Sequence, residues 1–206
     1  MIGIANIANS SHFSNALDFL KFVKTIIITM HTINITDSSH PLFKAFRTLY
    51  ESSFPPEEQR SLQQQDMAFS DGHYHLQLYL DQCNALIGFI SYWDFDDYLY
   101  IEHFAINERL RGCGYGSTLL KAFMGRSDAP VVLEIDPIRD DTSAARLRFY
   151  RKNGFFPNPY PHAQPPFKKG AAPVPLIILS SGRELSPAEF QRFSTDFHSI
   201  VFKGIE

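Results

Sequence analysis

Only two cysteines, Cys83 and Cys113, occur in 206 residues. That excludes a disulfide scaffold, and no Cys/His group has zinc-ligand spacing, so no metal is expected. Sparse thiols fit a reducing, intracellular compartment, and a cytoplasmic protein is the expectation. Long uncharged apolar runs are also missing. In "SNALDFLKFVKTIIITM", Asp18, Lys21 and Lys24 interrupt the hydrophobic stretch, which falls short of the ~18–20 residues of a membrane span. The basic start and small-residue cleavage site of a signal peptide are lacking too. Neither sign of charge dominates: the formal net charge is -3 and the pI about 6.2. Bulk electrostatics therefore do not favour a nucleic-acid partner, and no membrane partner is expected. Internal repeats and a second domain are not evident, and monomer and homodimer remain equally open.

What is present is core material: 44% hydrophobic residues, including 19 phenylalanines. Met30 opens "MHTINITD", whose alternating β-branched residues predict a first strand. Residues 1–29 are expected to be an extension outside the fold, with a helical appendage as the alternative, and 30–206 a single domain. Leu42, Phe43, Phe46 and Leu49 lie at helical spacing before Pro55-Pro56, and "PEEQRSLQQQDMAF" is a second helix candidate. Three strand-like runs follow at 74–82, 85–95 and 98–106, with connections short enough for hairpins. After a glycine-rich turn comes a helix to about Met124, then the continuous apolar strand "PVVLEIDP", expected where both faces are covered. "DDTSAARLRFYRKNGF" reads as a helix with acids at its start, bases at its end and Gly154 as a left-handed cap. "FPNPYPHAQPPFKKGAAPVP" holds seven of 13 prolines and must be a loop or interrupted edge. "LIILSS" is a last strand, and the closing helix starts with Ser186 as N-cap and Pro187 in its first turn.

The chemistry concentrates in "NERLRGCGYGSTLL". Glycines weaken helices, so Gly112, Gly114 and Gly116 at a helix start call for a reason. Backbone N–H groups at such a start form a concave positive site suited to a phosphate, glycines let it come close, and Arg111 adds a cation. Ordinary turn geometry is the competing reading. A Walker loop is excluded because "GYGST" has no lysine. A dinucleotide fingerprint is disfavoured because the preceding strands look antiparallel and the loop sits mid-chain.

"FAINERLRGCGYGSTLL" resembles the acetyl-CoA motif Arg/Gln-x-x-Gly-x-Gly/Ala of the GNAT superfamily of N-acetyltransferases, with Arg111, Gly114 and Gly116 on the defining positions. "VVLEID" followed by "ARLRFYRKNGF" resembles its second motif, and order and spacing agree over residues 30 to about 156. The resemblance implies an α+β fold: a central, mostly antiparallel, splayed sheet flanked by helices. It also implies acetyl-CoA as co-substrate, an amine acceptor and an acyltransferase reaction. The backbone of Phe104, Ala105 and Ile106 would pair with pantetheine, and Arg111, Gly112, Cys113, Gly114, Tyr115, Gly116 and Ser117 would hold the pyrophosphate. Many family members carry an Asn seven residues before the second-motif Tyr; Ser143 stands there, so its contact with CoA rests on a shorter hydrogen bond.

By the same resemblance, Glu102, which interrupts the apolar run "YLYIEHFAI", is the expected base, and Tyr150 the expected acid for the leaving thiolate. The plain alternatives are a paired strand glutamate and a core tyrosine. His103 should point to the opposite face from Glu102 by strand alternation, as a core histidine. Cys113 is not expected to carry an acyl group. Asp94, Asp96 and Asp97 form an acidic hairpin tip expected near the mouth, while Tyr160, His162 and Lys168 lie on the stiff proline loop. The lesser functional readings are a CoA-binding module with weak turnover and a transferase for a longer acyl group.

Overall fold

The computed structural model describes residues 30–167, 170 and 172–204; the expected extension 1–29 and Lys168 lie outside them. Strands β1 (His31–Ile35), β2 (Tyr74–Leu80), β3 (Leu86–Phe95) and β4 (Tyr98–Ile106) form the expected antiparallel meander. β5 (Val131–Ile135) then joins β4 in parallel, the crossover being helix α3 (Tyr115–Met124). β6 (Phe155–Pro157) and β9 (Ile177–Ser181) complete a seven-stranded sheet in the order β1-β2-β3-β4-β5-β9-β6. Of the two expectations for the proline-rich segment, the interrupted edge holds. The segment supplies the edge strand β6, where Pro157 costs no ladder bond in the sheet interior, and a small hairpin, β7 (Ala163–Gln164) with β8 (Val174–Pro175).

Helices cover both faces. On one side pack α1 (Phe43–Ser53), α2 (Leu62–Phe69) and α5 (Pro187–Asp196); on the other, α3 and α4 (Asp141–Lys152). The spacing of Phe43, Phe46 and Tyr50 puts all three in the first core, where Phe46 meets Phe89 of β3 edge-on at 4.9 Å between ring centroids. Leu119, Leu120 and Phe123 seat α3 in the second core with no exposed surface, each burial stabilising by about 1.5–3 kcal/mol. Val131, Val132 and Leu133 of β5 alternate between the two cores, which explains the unbroken apolar run. Three helix starts carry capping boxes: Ser61 with Gln64, Asp140 with Ser143, and Ser186 with Glu189. The second helix candidate splits, a short 3₁₀ turn at Pro56–Glu58 preceding α2. Among the described residues no helix is long and apolar enough to cross a membrane.

Two irregularities shape the site. β4 and β5 pair only from Leu99↔Val131 to Ile101↔Leu133; beyond that β4 runs on to Ile106 and the strands part. In the β3–β4 pairing, Ser91 faces His103 but Tyr92 faces Ile101, which leaves Glu102 as the extra residue of a β-bulge. The bulge overturns the alternation expected for His103. Tyr100 and Ala105 both belong to the first core, and His103 joins them on the face that Glu102 occupies, edge-on to Tyr50.

Candidate active site

Where β4 and β5 part, a cleft of about 820 Å³ opens, lined by residues 101–106 of β4, Leu133–Asp136 along and beyond β5, the glycine loop, α4 and the 3₁₀ turn. The β5-facing edge of β4 has no strand partner past Ile101. Phe104, Ala105 and Ile106 therefore line the cleft with main-chain groups free on that side. Ile106 leads through Asn107 and a 3₁₀ turn (Glu108–Leu110) into the glycine loop.

Gly112 and Gly114 sit at φ 78° and 85°, in the left-handed region that other residues rarely adopt. Gly114 is the N-cap of α3 and brings no capping side chain, so the first-turn N–H groups have no side-chain acceptor. Leu110, Arg111, Gly112, Gly114, Gly116 and Ser117 all line the cleft, while Cys113 and Tyr115 do not. The Arg111 Nε–H donates to the Ile106 carbonyl at 3.2 Å, which holds that cation beside the end of β4. Ser117 accepts a hydrogen bond from Asn153 Nδ2 at 3.1 Å, tying the start of α3 to the end of α4. Ser143 lies outside the cleft. Its hydroxyl accepts from the N–H groups of Arg139 and Asp140 and donates to Asp140, so the capping box consumes it.

Tyr150 lines the cleft from α4, its ring packed on Phe149 and Phe155. Burial pushes its phenol up to about 12, so it stays protonated and can donate.

Glu102, expected as the base with a paired strand glutamate as the alternative, is paired. Its side chain and that of Arg60 are each 3% exposed, and Arg60 Nε–H donates to its Oε1 at 2.7 Å. Trp93 Nε1–H donates to the other oxygen at 2.7 Å. Burial alone would raise the Glu102 carboxyl, but the Arg60 guanidinium and these hydrogen bonds outweigh it and hold the carboxyl below its ordinary value. Arg60 also donates to the Val201 carbonyl at 3.0 Å and lies over the rings of Trp93 and Phe167. Glu102 and Arg60 thus form a buried ion pair.

His103 is buried beside it, and burial drives its imidazole down despite Glu102 nearby, so the ring is neutral. Its Nε2 lies 3.1 Å from the Glu58 carbonyl, and its Nδ1 3.3 Å from the Ser91 hydroxyl. The network assigns the proton to Nε2, as donor to the carbonyl, and leaves Nδ1 to accept from Ser91. Both ring nitrogens are used.

Three further carboxylates face the cleft that the motif left unmarked: Glu58, Glu134 and Asp136. Glu134 accepts from the Tyr100 hydroxyl at 2.6 Å and contacts His162, which the proline loop brings over the sheet. Asp136 pairs with Arg146 of α4. A charged residue inside an apolar run had marked Glu102, and "VVLEID" carries the same signal for Glu134. Glu58 and Arg60 sit on an irregular connection, where no periodicity points to them. The acidic hairpin tip lies at the start of β4, the opposite end from the cleft, and Asp97 there pairs with Arg192 of α5.

A sequence model of the acetyltransferase (GNAT) family matches residues 40–155. Among solved structures, a protein assigned to the GNAT acetyltransferase family from Bacteroides thetaiotaomicron is 32% identical, with a TM-score of 0.77 over 84% of this chain and 98% of that one. A point mutant of the spermidine N-acetyltransferase SpeG from Vibrio cholerae is 11% identical with a TM-score of 0.55, covering 74% of this chain and 93% of its own. A GNAT acetyltransferase from Elizabethkingia anophelis, solved with acetyl-CoA bound, is 18% identical with a TM-score of 0.50, covering 74% and 97%. These last two share the fold. No curated protein matches the chain.

Proposed function

The chain belongs to the GNAT acetyltransferase family, and we propose that it transfers the acetyl group of acetyl-CoA directly to a primary amine. The observation that carries this reading is the opening of β4 from β5 beside the glycine start of α3. One continuous cleft thereby joins a helix start suited to a pyrophosphate with a row of carboxylates suited to an ammonium group. Arg111 and the backbone N–H groups from Gly112 to Ser117 would hold the pyrophosphate, and the free edge of Phe104–Ile106 the pantetheine arm. An N–H on that edge, aimed at the thioester oxygen as charge develops, is the kind of donor worth about 2.7–4 kcal/mol in other enzymes. Tyr150 would protonate the departing sulfur.

Cys113 does not line the cleft, which favours direct transfer over an acyl-cysteine. Ser143 is left out of the donor site because its hydroxyl closes a capping box. Glu58, Glu134 and Asp136 favour a cationic acceptor over an anionic one.

The test is thiol release from acetyl-CoA with a panel of primary amines: spermidine, tyramine and an alanine-initiated peptide. Release that depends on the amine, with acetylated product found by mass spectrometry, supports the reading. Amine-independent release, or none, refutes it.

A further inference from the structure

We infer that Glu58, on the 3₁₀ turn between α1 and α2, is the base that takes the proton from the acceptor's ammonium group; the inference rests on the transferase reading above. Four carboxylates line the cleft, and three are engaged. Glu102 is held by Arg60 and Trp93, Glu134 by Tyr100 and His162, and Asp136 by Arg146. Among the described residues, Glu58 alone of the four has no hydrogen bond or ion pair on its carboxylate, yet its residue is half-buried and faces the cleft.

Its main chain, by contrast, is fixed. The Glu58 carbonyl accepts from His103 Nε2 at 3.1 Å and from the Tyr50 hydroxyl at 3.4 Å. That hydroxyl in turn accepts from the Arg60 N–H at 2.8 Å. The buried network around Glu102 and His103 therefore anchors the turn that carries Glu58. This gives the bulge residues a positioning role: they hold the base instead of acting as it. A free carboxylate on a pinned backbone is the arrangement that proton transfer requires.

The electrostatic surroundings agree. Burial raises the Glu58 carboxyl to about 7; Asp136 adds to this, Arg146 opposes it, and Glu57 and Glu134 add further. Glu102 and His103 line the same cleft from β4, with Arg60 buried against Glu102, and Arg111 lines it as well. A base poised near the operating pH is both ionised often enough and basic enough to work.

The step balances as follows. Glu58 takes one proton from the ammonium, freeing the nitrogen lone pair. The lone pair forms the N–C bond to the thioester carbonyl, and the C–S bond breaks with its electrons going to sulfur. Tyr150 gives its proton to the sulfur and is reprotonated by the second proton leaving the nitrogen. Glu58 then returns its proton to solvent.

An amine with a lysine-like pKa is neutral in only about one molecule in 2,500 at pH 7, so losing the base should matter most there. In Glu58→Gln, kcat/KM at pH 7 with acetyl-CoA and the faster of spermidine and tyramine, the amines of the panel with alkylamine-like pKa, should fall about 10²–10⁴-fold. Wild-type kcat/KM should rise through a limb near pH 7 and level off. The variant should instead climb about tenfold per pH unit with the free amine toward ~10. Glu58→Asp should recover part of the rate and the limb. Calorimetric affinity for acetyl-CoA should be unchanged, and a folded variant is expected because no ion pair is broken. A variant that keeps the wild-type rate and limb overturns the assignment to Glu58 and leaves the transferase reading standing. A wild-type protein that binds no acetyl-CoA, or acetylates no amine of the panel, overturns both.

Discussion

Replacing Glu102 by Gln separates an anchor from a base. Gln keeps the shape but has one acceptor oxygen where Glu102 has two in use. Either Arg60 Nε–H or Trp93 Nε1–H must then face an amide NH₂. The Arg60 charge, on a side chain 3% exposed, also loses its counter-ion. Stranding one partner of a buried pair costs about 3–5 kcal/mol; the Val201 carbonyl and the two aromatic faces beside Arg60 argue for the lower end. For a domain of this size each kcal/mol moves the melting temperature by about 2–4 °C, so a fall of roughly 6–20 °C is expected in calorimetric melts at pH 7. The pH dependence follows from the sign of the shift. Glu102 lies below its ordinary value of 4.5 in the folded state. Its stabilisation is therefore fully present above 4.5 and is lost as pH falls through the folded value. The gap between wild type and variant should close in strong acid. A variant that melts within about 2 °C of wild type, yet loses kcat by orders of magnitude, would refute the anchor role and restore Glu102 as the base.

Gly114→Val forces a β-branched side chain to φ 85° at the start of α3. Calorimetry should show loss of acetyl-CoA binding, and retained affinity would move the pyrophosphate elsewhere. Tyr150→Phe should lower kcat while leaving the acetyl-CoA dissociation constant unchanged; an unaltered kcat would remove Tyr150 from the chemistry. Gly88→Ala places a Cβ 2.5 Å from the Ala105 carbonyl oxygen, where β3 pairs with the cleft end of β4. Urea unfolding should show about 1–3 kcal/mol of lost stability, and a neutral result would mean that β4 can yield there.

The order of elements was legible wherever a local rule governed it. The helix carrying Leu42, Phe43, Phe46 and Leu49, the start of the closing helix at Ser186 and Pro187, and the double-sided burial of β5 all followed from periodicity and caps; Tyr50, which joins Phe43 and Phe46 in the core, was not part of that pattern. The glycine loop was legible for the same reason, since Gly114 answers a backbone need that is local in sequence. The bulge was not, because it exists only in the pairing of two strands: Ser91 and Tyr92 decide it as much as Glu102 does. Strand alternation therefore misplaced His103. Arg60 lies 42 positions from Glu102, and no spacing rule joins them. Ser143 occupies the position a motif comparison assigned it, but its hydroxyl closes the capping box with Asp140. The place of Glu58 on the cleft was not legible, because a 3₁₀ turn that begins at Pro56 has no period to read.

Titration calorimetry of the full chain with acetyl-CoA and with CoA tests the donor site most directly. Saturable one-to-one binding of both, abolished in Gly114→Val and preserved in Glu58→Gln, is the expected result. A folded wild-type protein that binds neither would contradict the placement of the donor in the β4–β5 cleft and, with it, the proposed acetyl transfer.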